Sequence, residues 1–163
     1  MNFKASMDKT TKIITAIVIV ILIALVIQPF IFVPKSLSIL SPILTALILI
    51  IIFSIPILYK PQAYIIESGN IIIHRIAKNV IFLKNEIDSI QQIEKEKLKG
   101  SIRTFGVGGL FGYYGKFYNS KIGAMTWYAS RRSNYVLITT TSNKKIILTP
   151  DNPENFVKEF YKR

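Results

Sequence analysis

The residues with the most chemical promise lie in one glycine-rich stretch. Gly106, Gly108, Gly109, Gly112 and Gly115 alternate with Phe105, Leu110, Phe111, Tyr113, Tyr114 and Phe117, flanked by Arg103 and Lys116. Successive backbone N–H groups in such a stretch can cradle an anion. The spacing of a phosphate loop is absent. Gly115-Lys116 is followed by Phe117 rather than Ser or Thr, and Leu110 stands where the first glycine belongs. A dinucleotide loop needs GxGxxG, but Phe111 occupies the third glycine position. The plainer reading is that the glycines let the chain bend while the aromatic rings pack on the domain or at a bilayer surface. His74 is the single histidine, and it has no Ser–Asp or second ligand at a useful spacing. There is no Cys, so neither a thiolate nor a disulfide is available. The acidic residues are scattered. These features point to no enzyme, no cofactor and no metal site.

What positions the glycine stretch begins with two apolar runs, residues 13–33 and 39–59, each without a charged side chain. Each is about the 20 residues a helix needs to cross a bilayer core. In the first run 16 positions are Ile, Val, Leu or Phe. At roughly −0.3 to −0.6 kcal/mol each, they favour insertion by about 5–10 kcal/mol. The apolar region is too long for a signal peptide, and no small-residue cleavage site follows it. The connection, residues 34–38, is short and makes the helices antiparallel neighbours. Lys4, Lys9 and Lys12 precede the first helix, Lys35 alone sits in the connection, and Lys60 follows the second. The positive-inside rule then puts both termini in the cytoplasm and the connection outside, with the chain crossing the membrane twice. No charged or histidine side chain lies within either run, so an ion relay is not expected. The expected division is a cytoplasmic segment 1–12, a transmembrane hairpin 13–59 and a soluble domain 60–163.

The chain carries a net charge of +12. From Lys60 onward 17 Lys and Arg stand against 8 Asp and Glu, so most of that charge belongs to the soluble part. A basic domain at a membrane faces anionic headgroups, each nearby cation gaining about 1 kcal/mol. The tether argues against a nucleic-acid partner, although Tyr113, Tyr114 and Tyr118 suit base stacking.

The period changes to that of strands after residue 62. Short β-rich runs fall at 63–67, 71–75 and 80–83, with a hairpin turn at Ser68-Gly69-Asn70. Residues 87–93 carry Ile at a spacing of three, which fits either a strand or a helical turn. Residues 95–99 read as a solvated strand end or loop. Further strands are expected at 124–129, 135–141 and 144–149, with Arg131 and Arg132 in a basic turn between the first two. The chain ends in an amphipathic helix. Asp151 fits its N-cap, with Pro153 in the first turn and Glu154 completing a capping box. Phe156, Val157, Phe160 and Tyr161 fall on one face.

The string RTFGVGGLFGYYGKF at 103–117, GAMTWYAS at 123–130, VLITTTSNKKIILTP at 136–150 and DNPENFVKEF at 151–160 together resemble the bacterial pleckstrin-homology-like (PH-like) domains, in particular those appended to a two-helix membrane hairpin. The resemblance spans residues 62–162. It implies an α+β, mainly β fold: a bent antiparallel sheet, or partly open barrel of two roughly orthogonal sheets, capped by one C-terminal helix. It implies no enzyme activity. Eukaryotic relatives bind phosphoinositides through basic residues near the first hairpin. Here that turn is Glu67-Ser68-Gly69-Asn70, with no cation until Arg75, which argues against that mode.

The leading expectation is a membrane-anchored interaction module for a protein or peptide partner, engaged by strand addition at an open sheet edge. The alternatives are recognition of anionic lipid headgroups, or an accessory subunit of a larger membrane complex. The candidate partner- or ligand-binding residues are Arg103, Phe105, Gly106, Gly108, Gly109, Phe111, Gly112, Tyr113, Tyr114, Gly115 and Lys116, with Arg131 and Arg132 in the basic turn.

Overall fold

A computed structural model describes residues 1–32 and 40–162. The connection expected at 34–38, with Lys35, lies outside the described residues. The two apolar runs form helices α1 (Lys9–Phe32) and α2 (Leu40–Tyr59). Both are long and apolar enough to cross a membrane, and they leave most of their Ile, Leu and Val side chains exposed. That exposure is costly in water and suits lipid.

Strand β1 (Asn2–Lys4) precedes α1, and β2 (Ala63–Glu67) follows α2. The two pair antiparallel, Asn2 opposite Ile65 and Lys4 opposite Ala63. The chain therefore enters α1 and leaves α2 at the same end, as a membrane hairpin requires. This differs from the expectation of a separate segment 1–12. The periodicity of three residues is too short to announce a strand, and only the pairing with β2 reveals it.

β2 turns through Ser68-Gly69 into β3 (Asn70–His74), with φ of +50° and +80° at the two turn residues. Both values suit a two-residue hairpin whose twist matches its strands. β4 (Val80–Phe82) completes a four-stranded sheet in the order β1-β2-β3-β4. Then come β5 (Ile87–Ile93), β6 (Ile102–Gly108), β7 (Tyr113–Asn119), β8 (Gly123–Ala129), β9 (Tyr135–Thr140) and β10 (Lys145–Leu148). They make a six-stranded sheet in the order β5-β9-β10-β8-β7-β6. Its pairs are antiparallel except β8 with β10, which run parallel, a departure from the all-antiparallel expectation. Residues 95–98 form a short 3-10 turn rather than a strand end.

The spacing of three in β5 now has a cause. The register slips between Ile87 and Ser89, which keeps Ile87 and Ile90 on one face. Ile93 has the opposite parity and points to the other face. Ile87 and Ile90 join a core between the two sheets, built on Tyr64, Ile66, Ile71, Ile138 and Phe156. Ile93 joins a second core across the six-stranded sheet, built on Tyr113, Phe117, Trp127, Tyr135 and Leu137.

Helix α3 (Pro153–Tyr161) caps the first core. Phe156 and Phe160 are buried, each contributing about 1.5–3 kcal/mol of apolar burial. The N-cap is Asn152, not Asp151: the Asn152 side chain accepts from Asn155 N at 3.0 Å. Asp151 is engaged elsewhere, as described below. Tyr161 leaves the apolar face, its ring largely exposed and its hydroxyl hydrogen-bonded to both N and O of Ile90 at 3.1 Å.

Candidate functional site

The glycine stretch is a β-hairpin, not the loop its composition suggests. β6 and β7 pair along their lengths and turn through Gly109-Leu110-Phe111-Gly112. Gly106 faces Gly115 across the pair, with φ of +105° and +125°. A Cβ on Gly106 would lie 2.3 Å from the Tyr114 carbonyl oxygen, and one on Gly115 would lie 2.3 Å from that of Phe105. Neither position admits a side chain, so this crossing explains two of the glycines. The register also slips between Arg103 and Phe105, leaving Thr104 as the extra residue of a bulge.

Side-chain alternation sends the aromatics to different neighbours. Tyr113 and Phe117 enter the second core, where Phe117 stacks on Trp127 at 4.4 Å. Tyr114 points to the apolar helices, and its hydroxyl donates to the Pro56 carbonyl of α2 at 2.5 Å. Burial holds that phenol well above its ordinary pKa, so it remains a donor. The hairpin tip meets both helices. Phe111 N donates to Thr15 Oγ1 of α1 at 2.9 Å, and Gly109 packs on Ile14. Leu110 and Phe111 close a crevice with Ile19 and Leu22 of α1 and Phe53 of α2. Lys60 Nζ lies 5.5 Å above the Phe111 ring.

Between α2 and the outer face of β6–β8 lies a groove of about 530 Å³. Ile55, Tyr59, Val107, Tyr114 and Tyr128 make its walls, and Arg75 and Lys116 supply its charge. The Arg75 guanidinium sits 5.4 Å from the Tyr59 ring and 5.6 Å from that of Tyr128, with Nε donating to the Lys78 carbonyl at 2.8 Å. Lys116 Nζ donates to Thr126 Oγ1 at 2.9 Å. Among the described residues neither cation meets a carboxylate. Arg75 was not a sequence candidate. It lies ten or more residues from every basic candidate, and only the docking of the sheet on α2 brings it beside Lys116.

The basic turn is committed to the fold. Arg131 forms an ion pair with Asp151, and its Nε donates to the Ser6 carbonyl at 2.8 Å. Asp151 also accepts from Ser6 N at 3.0 Å and Ser6 Oγ at 2.6 Å. Arg132 lies 4.7 Å over the Tyr113 ring, and its backbone N donates to Asp8 at 3.0 Å. The turn thus fastens the stretch between β1 and α1 rather than presenting both cations to solvent.

Asp8 caps α1, its Oδ1 accepting from Thr11 N at 2.8 Å. Partial burial raises its pKa, but hydrogen bonds from Arg132 and Thr11 and the charge of Arg131 outweigh this, and the net shift is downward from 3.8. A lowered folded pKa stabilises above the unfolded value and fades as pH falls through the folded one. Asp8→Ala is therefore expected to cost about 1 kcal/mol at neutral pH, the usual worth of such a cap. Melting midpoints of the two proteins should converge well below pH 3.8.

The six-stranded sheet ends in two seven-residue edge strands, β5 and β6, and β6 is the more exposed. One flank of β6 pairs with β7, and no described strand pairs with the other. Ile102 and Phe105 are 67% and 77% exposed there, with Arg103 and Thr104 exposed between them. The other edges are short or, in β5, occupied at one residue. β1 and β4 have three residues each, and Asp151 N donates to the Lys4 carbonyl. The Tyr161 hydroxyl occupies the β5 edge at Ile90. The candidate residues thus separate. Arg103 and Phe105 are on the open edge, and Phe105 also lines the groove with Gly106, Tyr114, Gly115 and Lys116. Gly109, Phe111 and Gly112 form the tip, Tyr113 is in the core, and Gly108 packs on the Arg103 side chain.

No curated protein and no solved structure matches the chain. The family model described as the bacterial PH domain matches residues 62–163, well over half of the sequence. With two sheets, a C-terminal capping helix and two apolar N-terminal helices, the chain belongs to the bacterial PH domain family.

Proposed function

We propose that this protein is a membrane-anchored, non-enzymatic interaction module that takes an extended protein segment along the outer edge of β6, at the cytoplasmic face of a bacterial membrane. The unpaired β6 edge carries the reading. An open edge is a template for strand addition, which proteins normally block. Here a seven-residue edge with two exposed apolar side chains is left accessible. The bulge at Thr104 limits unselective pairing while the Ile102 and Phe105 side chains offer specificity. Docking of the hairpin on α1 and α2 holds this edge near the membrane, where tethering raises the effective concentration of a membrane-bound partner. The distribution of Lys around the helices supports the cytoplasmic orientation.

A second reading is supported by the groove. Arg75 and Lys116 beside three tyrosines, at the end of a membrane helix, suit an anionic lipid headgroup. Co-purification of the full chain in mild detergent separates the two. A partner on β6 is expected to survive high salt and to be lost with Phe105→Lys. Retention that needs anionic lipid, collapses at high salt and is lost with Arg75→Ala would replace strand addition with headgroup binding.

A further inference from the structure

On the face of the six-stranded sheet opposite the groove lies a second cavity, of about 420 Å³. Its aromatic floor is Phe117, Trp127 and Tyr135. Its charged wall residues are Lys95, Lys99 and Arg132, with Glu96 the single carboxylate. Among the described residues one buried donor there lacks an acceptor. Trp127 is 3% exposed, and its buried Nε1–H has no hydrogen-bond partner. An indole nitrogen only donates, so the orphan calls for an acceptor. Tyr135 beside it is also buried, its ring forming part of the floor. Burial pushes that phenol up to about 12, so it too holds its proton at neutral pH. Among the described residues none of the three cations forms an ion pair.

We infer that this cavity is a binding site for an oxyanion, a phosphate or carboxylate group carried by a small organic body. The anion would accept from Trp127 Nε1, with Lys95, Lys99 and Arg132 supplying the positive field. The volume falls within the range of small-molecule sites and leaves room for the attached body against the Phe117–Trp127 stack. An anionic acceptor fits a lining in which three cations outnumber the single carboxylate of Glu96, whereas a cationic ligand would meet those three like charges.

Trp127 is the sole tryptophan, so its indole N–H gives one resonance in a ¹⁵N spectrum of the full chain. The full chain in nanodiscs of neutral lipid is titrated with inorganic phosphate, acetate and glycerol phosphate, with chloride holding ionic strength constant. A saturable shift of the indole resonance with at least one of these probes is expected. The double substitution Lys95→Ala/Lys99→Ala should weaken that binding about tenfold, since each exposed lysine contributes modestly. Lys97→Ala, outside the cavity, should leave it unchanged. A parallel disc containing phosphatidylglycerol separates the sources: a resonance already shifted there assigns the oxyanion to a headgroup, and a shift only with free probe assigns it to a soluble ligand. An indole resonance unmoved by every probe and by the anionic disc would overturn the site. So would a shift that Lys95→Ala/Lys99→Ala leaves intact.

Discussion

Phe3→Ala is expected to destabilise the PH-like domain by about 3–5 kcal/mol, although Phe3 lies on the far side of the two apolar helices in sequence. Phe3 is 7% exposed and meets the Phe156 ring edge-to-face at 5.1 Å. Truncation would open a cavity between β1 and α3, where Tyr64 also packs on Phe156. Most domains hold only about 5–15 kcal/mol in total, so the change is a large share of the whole. Lys4→Ala is the control, because Lys4 is exposed in the same strand. Denaturant unfolding of the full chain in micelles, followed by the fluorescence of Trp127, should show a large drop in midpoint for Phe3→Ala and almost none for Lys4→Ala. The same reasoning predicts that a fragment starting at residue 62 is unstable. It lacks β1, and it leaves Arg131 and Asp151 without Ser6. An unchanged midpoint for Phe3→Ala would mean that β1 is not part of the folded domain.

Gly115→Ala is expected to cost more than about 3 kcal/mol and to detach the hairpin from the helices. Two penalties combine. A φ of +125° is strained for any side chain, by about 1–3 kcal/mol. The added Cβ would also sit 2.3 Å from the Phe105 carbonyl oxygen, which belongs to the paired backbone and has nowhere to move. Relief requires β6 and β7 to separate, and Tyr114 then loses its hydrogen bond to Pro56. Gly100→Ala isolates the first penalty. Its φ is +79°, but nothing lies within 4 Å of the new Cβ, so a loss of about 1–2 kcal/mol is expected. Comparable midpoints for the two variants would show that the Gly106–Gly115 crossing is looser than described.

Patterns that depend on near neighbours were legible in the sequence. The apolar runs, the alternation in β2 and β3, the strands at 135–140 and 145–148 and the terminal helix all follow from local periodicity. Contacts set by distant partners were not. β1 is three residues long, and it is a strand only because β2 offers an edge. Asp151 has the chemistry of an N-cap, yet the Arg131 and Ser6 contacts draw it away and Asn152 takes the role. The Ile spacing in β5 was ambiguous because a bulge and a change of core both hide in it. Glycine content suggested a loop at 106–117, whereas the glycines permit two strands to approach where any Cβ would collide. Of the candidate site, Arg103 and Phe105 fall on the open edge and Lys116 at the groove. Arg75 escaped notice because no local pattern links it to them, and Arg131 was over-read because its partners lie more than a hundred residues away and at the start of α3.

Site-specific photo-crosslinking in intact cells bears most directly on a partner at the β6 edge. A photoreactive residue replaces Ile102 or Phe105 in turn, with the exposed turn residue Lys121 as the comparison position. The expected result is a discrete protein adduct from positions 102 and 105 and none from 121, with adjacent cross-linked residues in the partner forming an extended segment. Adducts to lipid alone from 102 and 105, or protein adducts no different from those at 121, would contradict strand addition at β6.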